Sequence, residues 1–549
     1  MNIKRQLLCL ILLLPCLCYS QTEPERESNV KPFDLLEATI ADIQAAYADG
    51  TVSTVQLVQA YLDRIHAYDK TGPKINSIIT LNPNALVEAE KLDQERLQKG
   101  VRGPLHGIPV VLKDNINTMD LPTTNGSAIL RGVIPPNDAT LTQQLREAGA
   151  IILAKAAMGE FASGSYNSVS GQTINPYNFK RDTGGSSSGS AAAIASNFAV
   201  LAVGTDTSTS VRGPSSFNGI VGLRPTTGLI SRAGIAPKDL EFDSAGPMAR
   251  TVTDVAQMLG VIAVADTADP LSRTVWSEFE KKYPVSNGHI DFAAYLNKSA
   301  LKGKRVGVLR DFFGGDPEID KMAKAALAKI EDLGATLVDI KLDADFLSRY
   351  TGDGQNKIRR TADYRFRKEW EDYIATLKGT PATVPEYIRL YETVVNKSAL
   401  PTTESTLRLL KASLDKSIAD PEYQQLVRET LPKATADKLA VFEKYGVDVL
   451  VFPYDTSFAG VIKNPVYKLD DPTYVASDVP APATMAAYNS TGFPCVVVPM
   501  GFGTQGLPMD IAFFGKPYTD GPLLGYAFAY EQASLMRKPS PLLPDISRK

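Results

Sequence analysis

The sequence has few of the side chains on which hydrolytic and metal chemistry usually depend. Its 549 residues contain 4 cysteines and 3 histidines, and three of the cysteines, Cys9, Cys16 and Cys18, lie in its first 18 residues. If those three are removed with a cleaved leader, the remaining cysteine, Cys495, has no partner for an intramolecular disulfide or a cysteine-ligated zinc site. With so few histidines, the usual Ser-His-Asp and Cys-His hydrolases are poor candidates, and no metal site is predicted.

The chain also lacks an excess of positive charge. Lysine and arginine number 58, against 61 aspartates and glutamates, which gives a net charge of −3. Proteins that bind nucleic acid neutralise phosphates with basic side chains, so nucleic acid is not predicted as a partner. A hydrophobic content of 44% is typical of a globular protein with a large core.

The apolar run near the N-terminus is too short to span a membrane. The 13 residues LLCLILLLPCLCY follow Lys4 and Arg5 and precede the polar segment SQTEPERES. This arrangement is typical of a secretory signal peptide and predicts no stable membrane insertion. We predict a signal peptide at residues 1–20, a flexible segment at 21–32, and a periplasmic or extracellular location. A lipid anchor on Cys16 or Cys18 is the alternative, although Pro15 and Leu17 are not the small residues that such processing usually requires.

Short apolar runs alternate with helical patterns along most of the chain. Seven runs are predicted to be strands: Ile108 to Leu112 ending at Lys113, and the runs in AIILAK, FAVLAVGTD, KRVGVLRD, ATLVDIKL, VDVLVFP and FPCVVVPM. Helical spacing occurs between several of them, and this alternation predicts an α/β protein with a layered sheet. Residues 343–443 are charged and mostly helical. We interpret them as an excursion from a single domain at 33–549, one that would suit a wall of a substrate cleft.

Two loops rich in hydroxyl groups flank a helix and a strand in the segment DTGGSSSGSAAAIASNFAVLAVGTDTSTSVRGPSS, residues 182–216. The first loop offers many backbone N–H donors and leads into an alanine-rich helix, which Ser188 or Ser190 is expected to cap. The second loop follows the next strand. Serine and glycine also fill ordinary loops, but loops at the two ends of one helix-strand unit could meet in a single cleft.

Lys113 ends a buried apolar run. It is either solvated at the strand end or buried, and burial would lower its pKa from about 10.4. A neutral amine could then replace the missing histidine as the base that activates a serine. The residues therefore favour a Ser/Lys hydrolase.

Three ordered blocks closely resemble the amidase signature family. They are GPLHGIPVVLKDN, GGSSSGSAAAIA and GTDTSTSVRGPSSFNGIVGLRPTTGLIS. The resemblance continues through DSAGPMARTVTDVAQML, NSTGFPCVVVPMGF, GLPMDIAFFGKPY and AYEQ. It implies an α/β/α sandwich with a large mixed β-sheet core.

The resemblance also implies a Ser, cis-Ser, Lys triad. Carried over by position, the lysine is Lys113, the serine after a cis peptide bond is Ser186, and the nucleophile is Ser210. Backbone N–H groups of the nucleophile and of the three residues before it, Thr207, Ser208 and Thr209, would bind the oxyanion. The implied supporting residues are Gly185, Ser187, Asp206 and Arg212, and the implied cleft-lining residues are Met158 and Glu160. No metal or organic cofactor is implied.

Two positions depart from the family pattern. Many members have glycines where this chain has Ser208 and Thr209, and we expect the added side chains to restrict the loop or narrow the acyl pocket. An exported, mildly acidic chain does not suit the family branch that supplies ammonia for transamidation of tRNA inside the cytoplasm. The sequence therefore favours a free-standing hydrolase of small-molecule or peptide amides, and it predicts no oligomeric state.

Other interpretations of the sequence are weaker. GSSSG, centred on Ser187, matches an α/β-hydrolase elbow, but NFKRDTG before it is not an apolar strand and only His289 follows. The S-x-x-K matches at Ser299 and Ser413 lie downstream of the KTG at Lys70, which is the wrong order for a β-lactamase. A catalytically degenerate binding protein on an amidase scaffold remains the alternative function. Four aromatic residues of the helical excursion suit a substrate wall but are more often core: Tyr364, Phe366, Trp370 and Tyr373.

Overall fold

The computed structural model describes residues 33–351, 358, 360–462 and 492–546. The predicted signal peptide and the predicted flexible segment lie outside these residues. None of the described helices is both long enough and apolar enough to cross a membrane.

One mixed sheet of 11 strands runs through the described residues. In chain order its strands are β1 (Ile78–Leu81), β2 (Pro109–Lys113), β3 (Ile151–Ala156), β4 (Leu201–Asp206), β5 (Val221–Arg224), β6 (Ser244–Ala249), β7 (Arg305–Leu309), β8 (Thr336–Ile340), β9 (Val449–Pro453), β10 (Cys495–Phe502) and β11 (Pro508–Phe514). Their order across the sheet is β1-β3-β2-β4-β6-β5-β10-β11-β9-β7-β8. Strand β2 runs parallel to β3 and β4, and β7 runs parallel to β8 and β9, while the other pairs are antiparallel.

Helices connect and cover these strands. Those before the excursion are α1 (Ile40–Ala48), α2 (Thr54–Ile65), α3 (Ala85–Lys99), α4 (Thr140–Glu147), α5 (Ser188–Ala195), α6 (Arg212–Phe217), α7 (Val252–Ile262), α8 (Pro270–Glu280) and α9 (Pro317–Asp332). Those that follow are α10 (Ala344–Tyr350), α11 (Thr361–Ile374), α12 (Val384–Thr393), α13 (Glu404–Ala412), α14 (Pro421–Gln425), α15 (Leu431–Tyr445) and α16 (Asp520–Ser534).

Both faces of the sheet are buried, which explains why its strands are apolar runs rather than alternating ones. Along β9, Val449 and Val451 belong to one hydrophobic cluster with residues of α9 and α16, whereas Leu450 and Phe452 belong to a second cluster with residues of α15. Since successive side chains of a strand point to opposite faces, helices cover the sheet on both sides. The predicted α/β/α sandwich around a large mixed sheet is confirmed.

All seven apolar runs predicted as strands are strands of this sheet. The prediction missed β1, β5, β6 and β11. Strand β6 has the sequence SAGPMA, whose glycine and proline are unfavourable in strands. Glycine is required there, because a Cβ on Gly246 would lie 2.1 Å from the carbonyl oxygen of Leu223. Such a close approach depends on a neighbouring strand, and the local sequence therefore shows no sign of it.

None of the described residues between 343 and 443 lies in a strand, and most of them form helices α10 to α15. Phe366 and Trp370 are fully buried and stack at 5.9 Å, and Tyr364 is buried as well. Tyr373 differs, because it lines a cavity and its hydroxyl donates to Asn117 Oδ1 at 2.7 Å. The aromatic residues are therefore mainly core, as their spacing favoured.

Candidate active site

Two adjacent parallel strands bring the predicted base and the predicted nucleophile loop to the same edge of the sheet. Strand β2 ends at Lys113, and β4, which pairs with it from Val110 opposite Leu201, ends at Asp206. The carboxyl ends of neighbouring parallel strands meet at one edge, which is where open α/β sheets place their ligands. Lys113 and the loop that starts at Thr207 are therefore neighbours.

Lys113 is fully buried and is held by three oxygens. Its Nζ lies 2.8 Å from Ser186 Oγ, 2.7 Å from Thr205 Oγ1 and 3.1 Å from the carbonyl oxygen of Thr205. Burial lowers the pKa of Lys113 to about 7, although the charges of Asp206 and Asp243 oppose this shift. The structure thus shows Lys113 buried rather than solvated at the strand end.

The peptide bond between Gly185 and Ser186 is cis. The carbonyl of Ser186 accepts a hydrogen bond from the N–H of Gly159 at 3.0 Å. A Cβ on Gly185 would lie 1.9 Å from the carbonyl oxygen of Gly164, so only glycine fits before Ser186.

The two hydroxyl-rich loops meet at Ser187. Its N–H donates to the carbonyl of Ser210 at 3.2 Å, and its Oγ donates to the carbonyl of Thr205 and accepts from the N–H of Thr205, both at 3.2 Å. Ser187 therefore holds the loop of Ser186 against the loop of Ser210, and Ser186, Ser210 and Lys113 lie in one region of the sheet edge.

The expected cap of α5 is wrong. Ser187 occupies the N-cap position and its side chain makes no capping bond, because its Oγ is engaged with Thr205. Ser190 Oγ donates to the carbonyl of Val203 instead, and Ser188 Oγ has no hydrogen-bond partner among the described residues. The hydroxyl groups of this helix thus connect it to β4 and to the site rather than to its own N-terminus.

Three successive carbonyls of the nucleophile loop are occupied. The carbonyl of Ser208 accepts from Arg212 Nη2 at 2.5 Å, that of Thr209 accepts from the N–H of Gly213 at 2.7 Å, and that of Ser210 accepts from Ser187. In a trans peptide the C=O and the next N–H point in opposite directions. The N–H groups of Thr209 and Ser210 are therefore turned away from these partners, an arrangement that suits an oxyanion site.

Ser208 and Thr209 fit the loop despite replacing the glycines that many family members have. Neither residue has a positive φ, so the backbone here does not require glycine. Ser208 is buried, and the Oγ1 of the preceding Thr207 donates to Asp243 Oδ1 at 2.5 Å.

Asp206 organises the loop through two arginines. Its carboxylate accepts from Arg212 Nε at 3.1 Å, from Arg224 Nη1 at 2.9 Å and from the N–H of Val211 at 3.1 Å. Burial alone would raise the pKa of Asp206, but Arg212 and Arg224 hold it well below its usual range. Asp206 and Arg212 thus hold the nucleophile loop in place through its backbone at Val211 and Ser208.

Met158 and Glu160 lie behind the site rather than on an open wall. Both are fully buried, and the carbonyl of Met158 accepts from Asn167 Nδ2. Burial raises the pKa of Glu160 to about 7, against the opposing effect of three hydroxyl groups that donate to it, those of Ser168, Thr402 and Tyr391.

A small cavity adjoins Thr205 at the end of β4, and a larger cavity shares part of its wall. The smaller, of about 10 Å³, has room for about one water molecule and is lined by Asn115, Thr205, Thr207, Lys238 and Asp243 among others. The larger, of about 580 Å³, shares Arg232, Ile235 and Leu240 with it and extends to Tyr373. Its volume is within the range of small-molecule sites.

Several residues of the site were missed by the sequence prediction. Thr205 and Asn115 contact the lysine end of the relay, and both lie inside the recognised blocks, so the blocks themselves were the available signal. Arg224 also lies inside a recognised block, whereas Lys238 lies outside the blocks and reaches Ser163 from 75 residues away, so no local pattern marks it.

His66 is exposed, whereas His106, His289 and Cys495 make contacts within the fold. His106 is fully buried and its Nε2 lies 3.0 Å from the carbonyl oxygen of Leu92, and His289 Nδ1 lies 3.0 Å from that of Gly260. Cys495 is buried in β10, where burial raises the pKa of its thiol to about 11. In the part of the chain that the structure describes, no group of three or more His, Cys, Asp or Glu side chains is placed to hold a metal ion.

The chain is similar to known proteins along most of its length. The sequence model of the family described as Amidase matches residues 56–524. A glutamyl-tRNA(Gln) amidotransferase subunit from Rippkaea orientalis is 34% identical over 92% of this chain and 100% of its own. A probable amidase of Arabidopsis thaliana is 31% identical over 92% of each chain. The solved structure of a peptide amidase from Stenotrophomonas maltophilia is 33% identical, with a TM-score of 0.81 over 93% of this chain and 99% of its own.

Replacing Asp206 tests the bracing of the nucleophile loop. We expect Asp206→Asn to lower the free energy of unfolding by about 3–5 kcal/mol at pH 7, because it leaves two buried arginines without their counter-charge. The pKa of Asp206 is depressed in the folded state, so its stabilisation is complete above about pH 4 and is lost as the pH falls further. The difference between parent and variant should narrow accordingly in urea titrations.

Asp372→Asn is the matched control for that measurement. Asp372 pairs with Lys368 at 2.7 Å on the exposed face of α11, where an ion pair contributes little. Equal unfolding free energies for Asp206→Asn and the parent at pH 7 would show that the buried cluster does not brace the fold.

Proposed function

The chain belongs to the amidase signature family, and on this basis we propose that it is an exported amidase that hydrolyses a carboxylic amide to an acid and ammonia or an amine. Ser210 is the nucleophile, and Ser186 and Lys113 relay the proton. The observation that carries this proposal is the 2.8 Å contact between Lys113 Nζ and Ser186 Oγ at a fully buried lysine whose pKa is about 7.

The partners of Lys113 suit its neutral form. A neutral amine has two N–H donors and one lone pair. The two oxygens of Thr205, at 2.7 and 3.1 Å, accept the two N–H groups, which leaves the lone pair for the hydroxyl proton of Ser186. This arrangement makes Lys113 a base toward Ser186 without a histidine or a carboxylate in contact.

The reaction follows as an acyl transfer. Lys113 takes the proton of Ser186, which takes that of Ser210 while Ser210 Oγ bonds to the amide carbon. The N–H groups of Thr209 and Ser210 would stabilise the oxyanion, and a donor of this kind contributes about 3 kcal/mol. Ser186 then protonates the leaving nitrogen as the C–N bond breaks. Water, activated by the same relay, cleaves the acyl-enzyme and releases the acid.

A peptide amide is the first substrate to test. The similar protein of known structure from Stenotrophomonas maltophilia is a peptide amidase, and the cavity of about 580 Å³, which shares three lining residues with the small cavity at Thr205, has the volume of a small-molecule site. The similarity to glutamyl-tRNA(Gln) amidotransferase makes glutamine a necessary member of the substrate panel.

The activity is tested by hydrolysis of a panel of peptide amides, primary amides, anilides and glutamine. We expect the parent to hydrolyse at least one class and to accumulate an acyl adduct on Ser210, detected by intact mass. Ser210→Ala should lower kcat about 10⁴-fold or more, and Lys113→Met about 10²-fold to 10⁴-fold. Ser277→Ala, on the exposed face of α8, is the control and should match the parent.

Two results would contradict the proposal. If folded Ser210→Ala and Lys113→Met hydrolyse amides at the parent's rate, the triad is wrong. If the parent hydrolyses no member of the panel and forms no adduct, the alternative of a degenerate binding protein is favoured.

The pH dependence tests the role of Lys113 as base. Since only the neutral amine accepts a proton, kcat/KM should fall about tenfold per pH unit below an apparent pKa of about 7. Glu160 also has a pKa of about 7, so the two groups must be separated. The acid limb should persist in Glu160→Gln and disappear from the residual activity of Lys113→Met. A limb lost in Glu160→Gln instead would assign the titration to Glu160.

Export is proposed from the N-terminal sequence. Expressed in a Gram-negative host, the chain should reach the periplasm with residues 1–20 removed, so that intact mass places the new N-terminus at Gln21. Replacing Lys4 and Arg5 by glutamate should reduce export, because it removes the positive start of the signal. A lipid mass on Cys16 or Cys18 would support the anchored alternative, and an uncut chain in the cytoplasm would contradict export.

A further inference from the structure

We propose that Tyr391 and Glu160 are positioning residues for Ser186, and that they act through the loop of residues 159–164. The inference rests on the proposed function of Ser186 as the middle group of the proton relay. Neither side chain touches the reacting atoms.

The loop holds Ser186 directly. The N–H of Gly159 donates to the carbonyl of Ser186 at 3.0 Å, on the residue whose side chain contacts Lys113. A Cβ on either Gly159 or Gly185 would lie 1.9 Å from the carbonyl oxygen of Gly164. The backbones of the loop and of the Gly185–Ser186 peptide are thus packed against each other without space for a side chain.

The next residue of the loop, Glu160, accepts hydrogen bonds from two hydroxyl groups of the helical excursion and from that of Ser168. Tyr391 of α12 donates to Glu160 Oε1 at 2.8 Å, Thr402 donates to Oε2, and Ser168 donates to Oε1 at 2.5 Å. The Tyr391 hydroxyl also lies 2.5 Å from Ser127 Oγ. The buried carboxyl group of Glu160 therefore links the loop, one residue after Gly159, to Tyr391 and Thr402 of the excursion.

Phe161, the residue after Glu160, also contacts the helical excursion. Its φ is +48°, an unfavourable value for an aromatic residue, and it is fully buried. Its ring packs edge to face on Trp370 at 4.7 Å, on Tyr387 at 6.2 Å and on Tyr391 at 6.3 Å. Glu160 and Phe161 thus both extend into the helical excursion, while Gly159 extends to Ser186.

The position of Ser186 is important because its hydroxyl group must exchange protons with two different side chains. Ser186 Oγ gives its proton to Lys113 and takes one from Ser210, so a displacement of the loop lengthens one or both transfers. A misplacement of about 1 Å can cost about 10²-fold in rate. The hydroxyl of Tyr391 is the most remote part of this attachment, and its removal leaves the aromatic packing in place.

The test compares Tyr391→Phe with Tyr387→Phe. Both residues are fully buried on α12 one helical turn apart, and both rings contact Phe161. Only Tyr391 binds Glu160, because the Tyr387 hydroxyl has no hydrogen-bond partner among the residues that the structure describes. The two variants therefore make the same chemical change in one helix, with and without loss of the attachment.

The readouts are kcat and KM for the amide that the parent hydrolyses fastest, the same constants for the p-nitrophenyl ester of the same acyl group, and Tm. We expect Tyr391→Phe to lower kcat on the amide about tenfold with KM within twofold. The ester rate should fall less, because p-nitrophenolate leaves without a proton from Ser186. Tyr387→Phe should stay within twofold of the parent on both substrates.

Glu160→Gln and Glu160→Ala extend the test. The amide retains an acceptor for the Tyr391 hydroxyl and the methyl group does not, so kcat on the amide should fall further in Glu160→Ala than in Glu160→Gln. Equal amide kcat for Tyr391→Phe and Tyr387→Phe, or equal losses on amide and ester, would overturn the inference while leaving the proposed function intact. An active Ser210→Ala, or an inactive parent, would overturn the proposed function and the inference with it.

Discussion

The burial of one lysine is the constraint on which the site depends. Lys113 ends a central strand, is fully buried and contacts three oxygens but no carboxylate. A charged ammonium in this position is shielded from bulk solvent and, among the described residues, has no carboxylate within ion-pair distance, so the protein favours the neutral amine. Everything that keeps bulk solvent and negative charge away from Lys113, including the two-sided burial of the sheet, therefore lowers its pKa and favours the neutral amine that can accept a proton near pH 7.

The negative charge of Asp206 opposes the lowered pKa of Lys113, and two arginines limit this effect. The carboxylate lies one residue beyond Thr205, and its charge raises the pKa of Lys113. Arg212 and Arg224 both bind it, so its charge is balanced within the buried cluster. The same ion pairs order the nucleophile loop through Val211 and Ser208. One cluster thus organises the loop and limits its electrostatic effect on the base.

The sequence predicted those features that depend on neighbouring residues in the chain and missed several that depend on contacts between distant ones. Apolar runs predicted seven strands, because burial on both faces leaves a local signature. Lys113, Ser186 and Ser210 were named from ordered blocks, and the structure brings Lys113 and Ser186 into contact. Strand β6 was not predicted, since the close approach that requires Gly246 depends on a neighbouring strand. Lys238 and Tyr391 were missed for the same reason, because each reaches its partner from a distant part of the chain, whereas Arg224 lies within a recognised block and could have been named from it.

The helical excursion is therefore more than a cover for the sheet. Its aromatic core encloses Phe161, and its hydroxyl groups bind Glu160, so the segment is attached to the loop that holds the Ser186 backbone. A segment that only covered the sheet would need apolar contacts and no hydrogen bonds to Glu160. A buried carboxyl with three hydroxyl donors is costly to leave unsatisfied, and it specifies one register between the excursion and the loop. The proposed proton relay would consequently depend on sequence in residues 343–443, although that segment contributes no reacting atom to it.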